Sequence, residues 1–240
     1  MVEVDSELLL VDCGPGTGTR IMKAGFDPKR VSRIFLTHLH IDHTLEFPSL
    51  VFGNYLLGKK DRTYLYGPPG TINFCKLLFE KLYPYAPDIV RIIRKEGLDI
   101  ATHDCTERVV YETIGYRVLM TQVEHGTAIT NAYRIENSQS SVVISGDTRP
   151  CESLVELAKG ADLLIQECSF PDEMEEMARI TNHSVPSEVG ELANQAGVRK
   201  IVLTHLFPQC NGREKEMVES VGRKFKGEII PSRDLLELTL

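Results

Sequence analysis

The sequence predicts an α/β fold, on three observations. Short runs of Val, Ile and Leu alternate along the chain with segments of helical periodicity. Asp12, His38, Asp147, Glu167 and His205 each stand just past the C-terminal end of such a run, where ligands and chemistry collect in α/β architectures. The third is bulk: 240 residues, 42% hydrophobic and 25% charged, can bury a large core without disulfide support. With no linker, internal repeat or low-complexity stretch to divide it, the chain is expected to be a single domain spanning residues 1–240.

Leu8 to Val11 is an apolar strand closed by the turn Asp12-Cys13-Gly14-Pro15-Gly16. Thr17 to Ala24 is helical and stops at Gly25 and Asp27-Pro28. Val31 to Leu36 is a second strand, leading into Thr37-His38-Leu39-His40-Ile41-Asp42-His43. A helix is expected after Leu45, a strand over Thr63 to Tyr66, and a helix over Thr71 to Leu82. From about Leu98 to Ile135 the pattern alternates as strands do. Ser141 to Ile144 and Asp162 to Ile165 are strands ending at Gly146-Asp147 and Gln166-Glu167. Helical periodicity over Ser187 to Ala196 precedes the strand Lys200 to Leu203, which ends at Thr204-His205.

The 27 basic residues are outnumbered by 34 acidic ones, a formal charge of −7. No global basic surface for nucleic acid follows from that balance, although a local groove is compatible with it. Cys13, Cys75, Cys105, Cys151, Cys168 and Cys210 include no CxxC pair. Their scatter suits reduced thiols better than a disulfide framework or a zinc ribbon. No secretory leader or membrane-length apolar run is present, so a soluble, cytoplasmic protein without membrane partners is expected.

Four of the six residues from His38 to His43 are His or Asp. In extended backbone, residues two apart share a side, so His38 and His40 can grip one ion. Asp42 and His43 follow where the chain turns and can address a second ion. Imidazole nitrogen with carboxylate oxygen suits zinc, and also iron or manganese.

This stretch, THLHIDH, matches the HxHxDH signature and resembles the metallo-β-lactamase superfamily. Asp12 in LLLVDCG resembles the first-motif aspartate that supports the ligand loop, His125 in VEHG the third-motif histidine, Asp147 in SGDT the bridging aspartate, and His205 in VLTH the final histidine. The resemblance runs from about Val2 to His205 and implies a four-layer αβ/βα sandwich. It also implies His38, His40 and His125 on one metal, Asp42, His43 and His205 on the other, and Asp147 between them. The implied chemistry is hydrolysis by a metal-bridging hydroxide, which Asp42 helps to orient. Members usually have a strand and a glycine-rich turn ahead of the segment matching Val2 to Asp5, so the first edge strand is expected to be missing.

Within the superfamily, three segments resemble ribonuclease Z and its phosphodiesterase relatives. Tyr66-Gly67-Pro68-Pro69-Gly70-Thr71 looks like the YGPPG turn of that branch. ADLLIQECSF resembles a segment that usually reads LLIHEATF, and Asn182-His183-Ser184 resembles a histidine-serine-threonine motif. The resemblance implies that Glu167 holds His183 as the general acid near the leaving-group oxygen. Between Gly70 and His125 the chain has no counterpart of the long arm that grips tRNA in ribonuclease Z. A small-molecule or nucleotide phosphodiester is therefore expected in preference to RNA, and the branch implies a homodimer. The metal centre also serves lactone, thioester and sulfate-ester hydrolases, and non-catalytic members bind nucleic acid or a partner. Glu167 with His183 is what favours phosphodiesters. His103 matches no motif and is expected at the surface.

Overall fold

Runs rich in Val, Ile and Leu supply the buried strands, and helices pack on one face of each sheet. The computed structural model describes residues 1–82 and 99–240, in two units, Met1–Thr106 and Glu107–Leu240. The first unit is a five-stranded sheet in the order β1-β2-β3-β4-β5. Its strands are β1 Val2–Val4, β2 Glu7–Val11, β3 Val31–Phe35, β4 Thr63–Gly67 and β5 Ile100–Asp104. β1 pairs antiparallel with β2, and the remaining neighbours are parallel. Helices α1 Thr17–Lys23, α2 Ile41–Thr44, α3 Phe47–Leu56 and α4 Thr71–Leu77 lie between the strands in sequence. Leu8, Leu10, Ile34, Leu36 and Leu65 bury one face of the sheet against Ile21 of α1 and Phe47, Leu50 and Val51 of α3. The rings of Phe35, Tyr66 and His103 form a ladder across β3, β4 and β5, with centroids 4.9 Å apart at each step. That is the spacing of neighbouring strands.

The second unit is a seven-stranded sheet in the order β12-β11-β10-β9-β8-β7-β6. Three antiparallel strands come first, β6 Val109–Glu112, β7 Tyr116–His125 and β8 Ala128–Asn137. Four parallel strands follow, β9 Ser141–Ile144, β10 Leu163–Glu167, β11 Lys200–Thr204 and β12 Glu228–Pro231. Helices α5 Glu152–Ala158, α7 Pro186–Ala196 and α8 Glu214–Lys224 cover one face, packing Leu154, Val189, Leu192 and Val221 onto Val143, Leu164, Ile201 and Leu203. α6 Glu175–Thr181 precedes α7. Each unit therefore carries a run of parallel strands joined by helices, a recurrence of topology without recurrence of sequence.

The expected strands and helices recur with small differences. β10 runs through Gln166 and Glu167, which still pair with Leu203 and Thr204, so Glu167 closes the strand instead of following it. Where only a turn is expected, Ile41–Thr44 makes one helical turn. The helix from Thr71 ends at Leu77, and Leu78–Leu82 widens into a π-helical turn. Leu98 and part of the stretch from Gly70 to His125, where no arm is expected, lie outside the described residues. No helix among the described residues is long and apolar enough to cross a membrane.

α7 and α8 meet at a glycine. A Cβ on Gly190 would stand 2.6 Å from the Val221 carbonyl oxygen, whereas one on Gly222 would meet only Ile229 Cδ1, at 3.6 Å. Helix propensity alone favours alanine at both sites by about 1 kcal/mol. At Gly190 that gain is outweighed by overpacking, typically about 1–3 kcal/mol. Urea unfolding should show Gly190→Ala destabilised and Gly222→Ala unchanged or stabilised. Equal shifts of the two variants would contradict this helix contact.

Candidate metal centre

In the first unit, β2 and β3 end side by side and deliver Asp12 and the His38–His43 loop. Asp12 is left-handed at φ 61°, a conformation uncommon outside glycine that a locally hydrogen-bonded Asp tolerates. Its carboxylate accepts from Thr37 N at 2.7 Å, Thr37 Oγ1 at 2.9 Å and His43 Nδ1 at 2.7 Å. Because a carboxylate only accepts, His43 carries its proton on Nδ1 and presents Nε2 as the unprotonated nitrogen. Thr37 gives its hydroxyl proton to Asp12 and so accepts from His38 Nδ1, 3.0 Å away. One carboxylate thus sets the tautomer of two histidines, the supporting role implied for Asp12.

His38 Nε2 then faces His40 Nδ1 at 2.9 Å, a spacing that lets one cation take both nitrogens. Asp42 is exposed, with Oδ2 3.5 Å from His43 Nε2. The glycine-rich turn is bound to this loop by Cys13 N to the His43 carbonyl, 2.7 Å. A Cβ at Gly14 would stand 1.9 Å from the Asp42 carbonyl oxygen, so only glycine permits that approach.

The second unit gathers His125, Asp147, Glu167, His183 and His205 at the ends of β7, β9, β10 and β11 and in the loop between α6 and α7. His125 Nδ1 donates to the Asn182 carbonyl at 2.9 Å. Ser169 Oγ lies 2.9 Å from Glu167 Oε2, 2.9 Å from His205 Nδ1 and 3.2 Å from His183 Nδ1. A hydroxyl has one proton, and Glu167 takes it, so both imidazoles donate to Ser169. In their neutral form, His125 and His205 therefore turn acceptor Nε2 atoms toward Asp147 Oδ2, at 3.9 and 3.4 Å. Three acceptors converging on one point, with Asp147 only 3% exposed, are the donor set a divalent cation requires. The residues present therefore fit a metal.

Glu167 is 1% exposed. Its Oε1 accepts from Thr148 N, Ser184 N and His183 Nδ1, each at 3.1 Å. Its Oε2 accepts from Ser169 N at 3.1 Å as well as from the Ser169 hydroxyl. Glu167 and His183 are thus brought together as the sequence implies. His103 is exposed in β5, as expected, and stacks on Tyr66.

Ser169 and Arg149 were not foreseen. Ser169 stands where LLIHEATF has its threonine, so the retained hydroxyl was the available signal. Gln166 stands at that motif's histidine and is fully buried with its amide donating to the Glu167 carbonyl. All six cysteines are free. Burial pushes the Cys105 thiol up to about 11 and raises Cys13 and Cys168 as well, with Glu46 adding to the effect at Cys13 and Glu167 at Cys168, so none of the three is a ready thiolate.

Loss of a partner such as Asp12 typically costs 10- to 100-fold in metal affinity. Asp12→Ala should therefore bind zinc about 10- to 100-fold more weakly in a chelator competition titration. Unchanged affinity would remove its supporting role.

The β-lactamase superfamily domain model matches residues 8–206. A ribonuclease Z from Methanosarcina acetivorans is 31% identical over 288 residues, covering 100% of this chain and 91% of the relative. Among solved structures, the short form of human tRNase Z superposes with a TM-score of 0.75 at 23% identity, over 98% of this chain and 89% of that one. A diphosphatase of the PhnP family gives 0.71 at 20% identity, over 98% and 81%. The structural likenesses establish the metallo-β-lactamase fold. The sequence matches make this chain a member of the β-lactamase superfamily, in its ribonuclease Z-like branch of metal-dependent hydrolases.

Proposed function

We propose that the protein is a phosphodiesterase that uses two divalent metal ions, zinc being the ion its nitrogen and carboxylate donors suit best. The observation that carries this reading is the convergence of His125, His205 and Asp147 beside the buried Glu167–His183 pair. The family pattern assigns His38, His40 and His125 to one ion, and Asp42, His43 and His205 to the other, with Asp147 shared. Manganese or iron would be held by the same donors. When bound, such ions lower the pKa of water and neutralise charge on the attacking and leaving oxygens.

The chain's own groups supply the rest. Asp42, exposed and acceptor-only, orients the attacking water by taking its hydrogen bond. As the bond from phosphorus to the leaving oxygen breaks, His183 gives that oxygen a proton from the nitrogen opposite Nδ1. Glu167 and Ser169 hold Nδ1–H and stabilise the ring while it is charged. The ring takes a proton back from water for the next turnover.

The formal charge of −7 favours a nucleotide-sized phosphodiester. RNA is the second reading, favoured by the ribonuclease Z relative aligned over the whole chain. Free, largely buried cysteines suit action in the reducing cytoplasm.

Asp147→Ala and His38→Ala should each lose metal, by elemental analysis, together with hydrolysis of an aryl phosphodiester. Turnover by metal-free Asp147→Ala protein would sink the proposal. His183→Ala should keep its metal and slow alkyl phosphodiester hydrolysis by about two to four powers of ten. An unchanged rate would remove its acid role.

A further inference from the structure

We propose that Arg149, paired with Glu188, is a positioning residue that fixes His183 for proton transfer to the leaving group. This inference rests on the reading of His183 given above.

His183 lies in a four-residue loop between α6 and α7, which Asn182 enters in the left-handed conformation at φ 60°. The ring is held through Nδ1, but the backbone of the loop needs its own restraint. The His183 carbonyl belongs to a residue only 7% exposed and requires a donor. Arg149 Nη1 supplies it at 3.0 Å. The same guanidinium grips Glu188 with both ends, Nη1 to Oε2 at 3.0 Å and Nη2 to Oε1. Glu188 Oε2 also accepts from Val185 N at 3.2 Å, capping the start of α7.

Arg149 therefore ties the His183 loop to the first turn of α7 with one rigid group. Its own backbone is fixed as well: Arg149 N donates to the Glu124 carbonyl at 2.7 Å, next to His125. Two residues before it stands Asp147. A displacement of the His183 loop relative to the Asp147 turn must break this fork. As a pair about one-fifth exposed, Arg149 and Glu188 add little stability simply as opposite charges. What the arrangement supplies is direction, because a planar guanidinium making three bonds admits one orientation. Lysine, a point charge on a flexible stem, cannot reproduce it.

The test uses full-length, metal-loaded Arg149→Gln, Arg149→Lys and Glu188→Gln proteins, with metal content measured for each. Leaving groups run from acidic aryl alcohols, which depart without a proton, to alkyl alcohols, which need one. Misplacing a catalytic group by an ångström costs up to about 100-fold. For Arg149→Gln, kcat on alkyl esters should fall by about that factor while aryl esters lose less than about threefold and KM and metal content hold. In a His183→Ala background the same substitution should have no further effect on alkyl esters. Equal losses on both ester types, or an additive loss in that background, would overturn the inference.

A direct readout separates this outcome from a failure of the acid role. The Nδ1–H proton signal of His183 should exchange with water at least about tenfold faster in Arg149→Gln, while those of His125 and His205 keep their rates. Unchanged exchange at His183 would overturn the positioning role whatever the kinetics. An unchanged rate on alkyl esters in His183→Ala would instead count against the acid reading.

Discussion

A carboxylate withdrawn from water at the end of a strand organises this molecule's second unit. Glu167 is almost fully buried, and an isolated charge in that position would be heavily penalised. Five donors offset the penalty: three backbone amides, a hydroxyl and an imidazole. Those donors come from the turn after Asp147, the segment after β10 and the loop holding His183. Satisfying one charge therefore fixes three pieces of chain at once. Any account of Glu167 as a purely catalytic group omits this, and so does any account of it as purely structural.

The same logic governs the first unit on a smaller scale. Asp12 joins the ends of β2 and β3 by accepting from Thr37 and His43. The left-handed backbone at Asp12 has a counterpart at His205, φ 56°, just past β11. Such conformations persist only where surrounding bonds over-determine them, and they gather at functional sites. Proton placement then follows from acceptor counting, without reference to any ion. Asp12 and the Asn182 carbonyl take the Nδ1–H of His43 and His125, and Ser169 takes that of His205, which leaves Nε2 of each neutral ring as its acceptor nitrogen. These histidines are set up to donate lone pairs.

How much of this was legible in the sequence depended on the range of the interaction. His38, His40, Asp42 and His43 announce themselves because their spacing is local and extended backbone puts alternate residues on one side. The parallel strands were legible because runs such as Leu8–Val11 and Lys200–Leu203 are buried on both faces or nearly so. Ser169 was not, because its meaning lies in contacts with His183 and His205, 14 and 36 residues away. Arg149 was hidden for the same reason, its carboxylate partner being 39 residues on. The end of β10 was misplaced because Gln166 and Glu167 are polar. Their burial depends on the neighbouring β11 and on hydrogen bonds that periodicity cannot register.

The proposed function divides its tasks between two sets of residues. On the proposed reading, the four donors of the His38–His43 loop serve activation, whereas Glu167, His183 and the Arg149 fork serve the leaving group. The central claim is a dinuclear centre built from nitrogen and oxygen donors. Zinc K-edge X-ray absorption on the metal-loaded protein tests it most directly. The account predicts two zinc ions per chain, first-shell scatterers at about 2.0–2.1 Å with no sulfur, and a metal–metal feature near about 3.5–4 Å. A single ion, or a sulfur shell at about 2.3 Å, would contradict it.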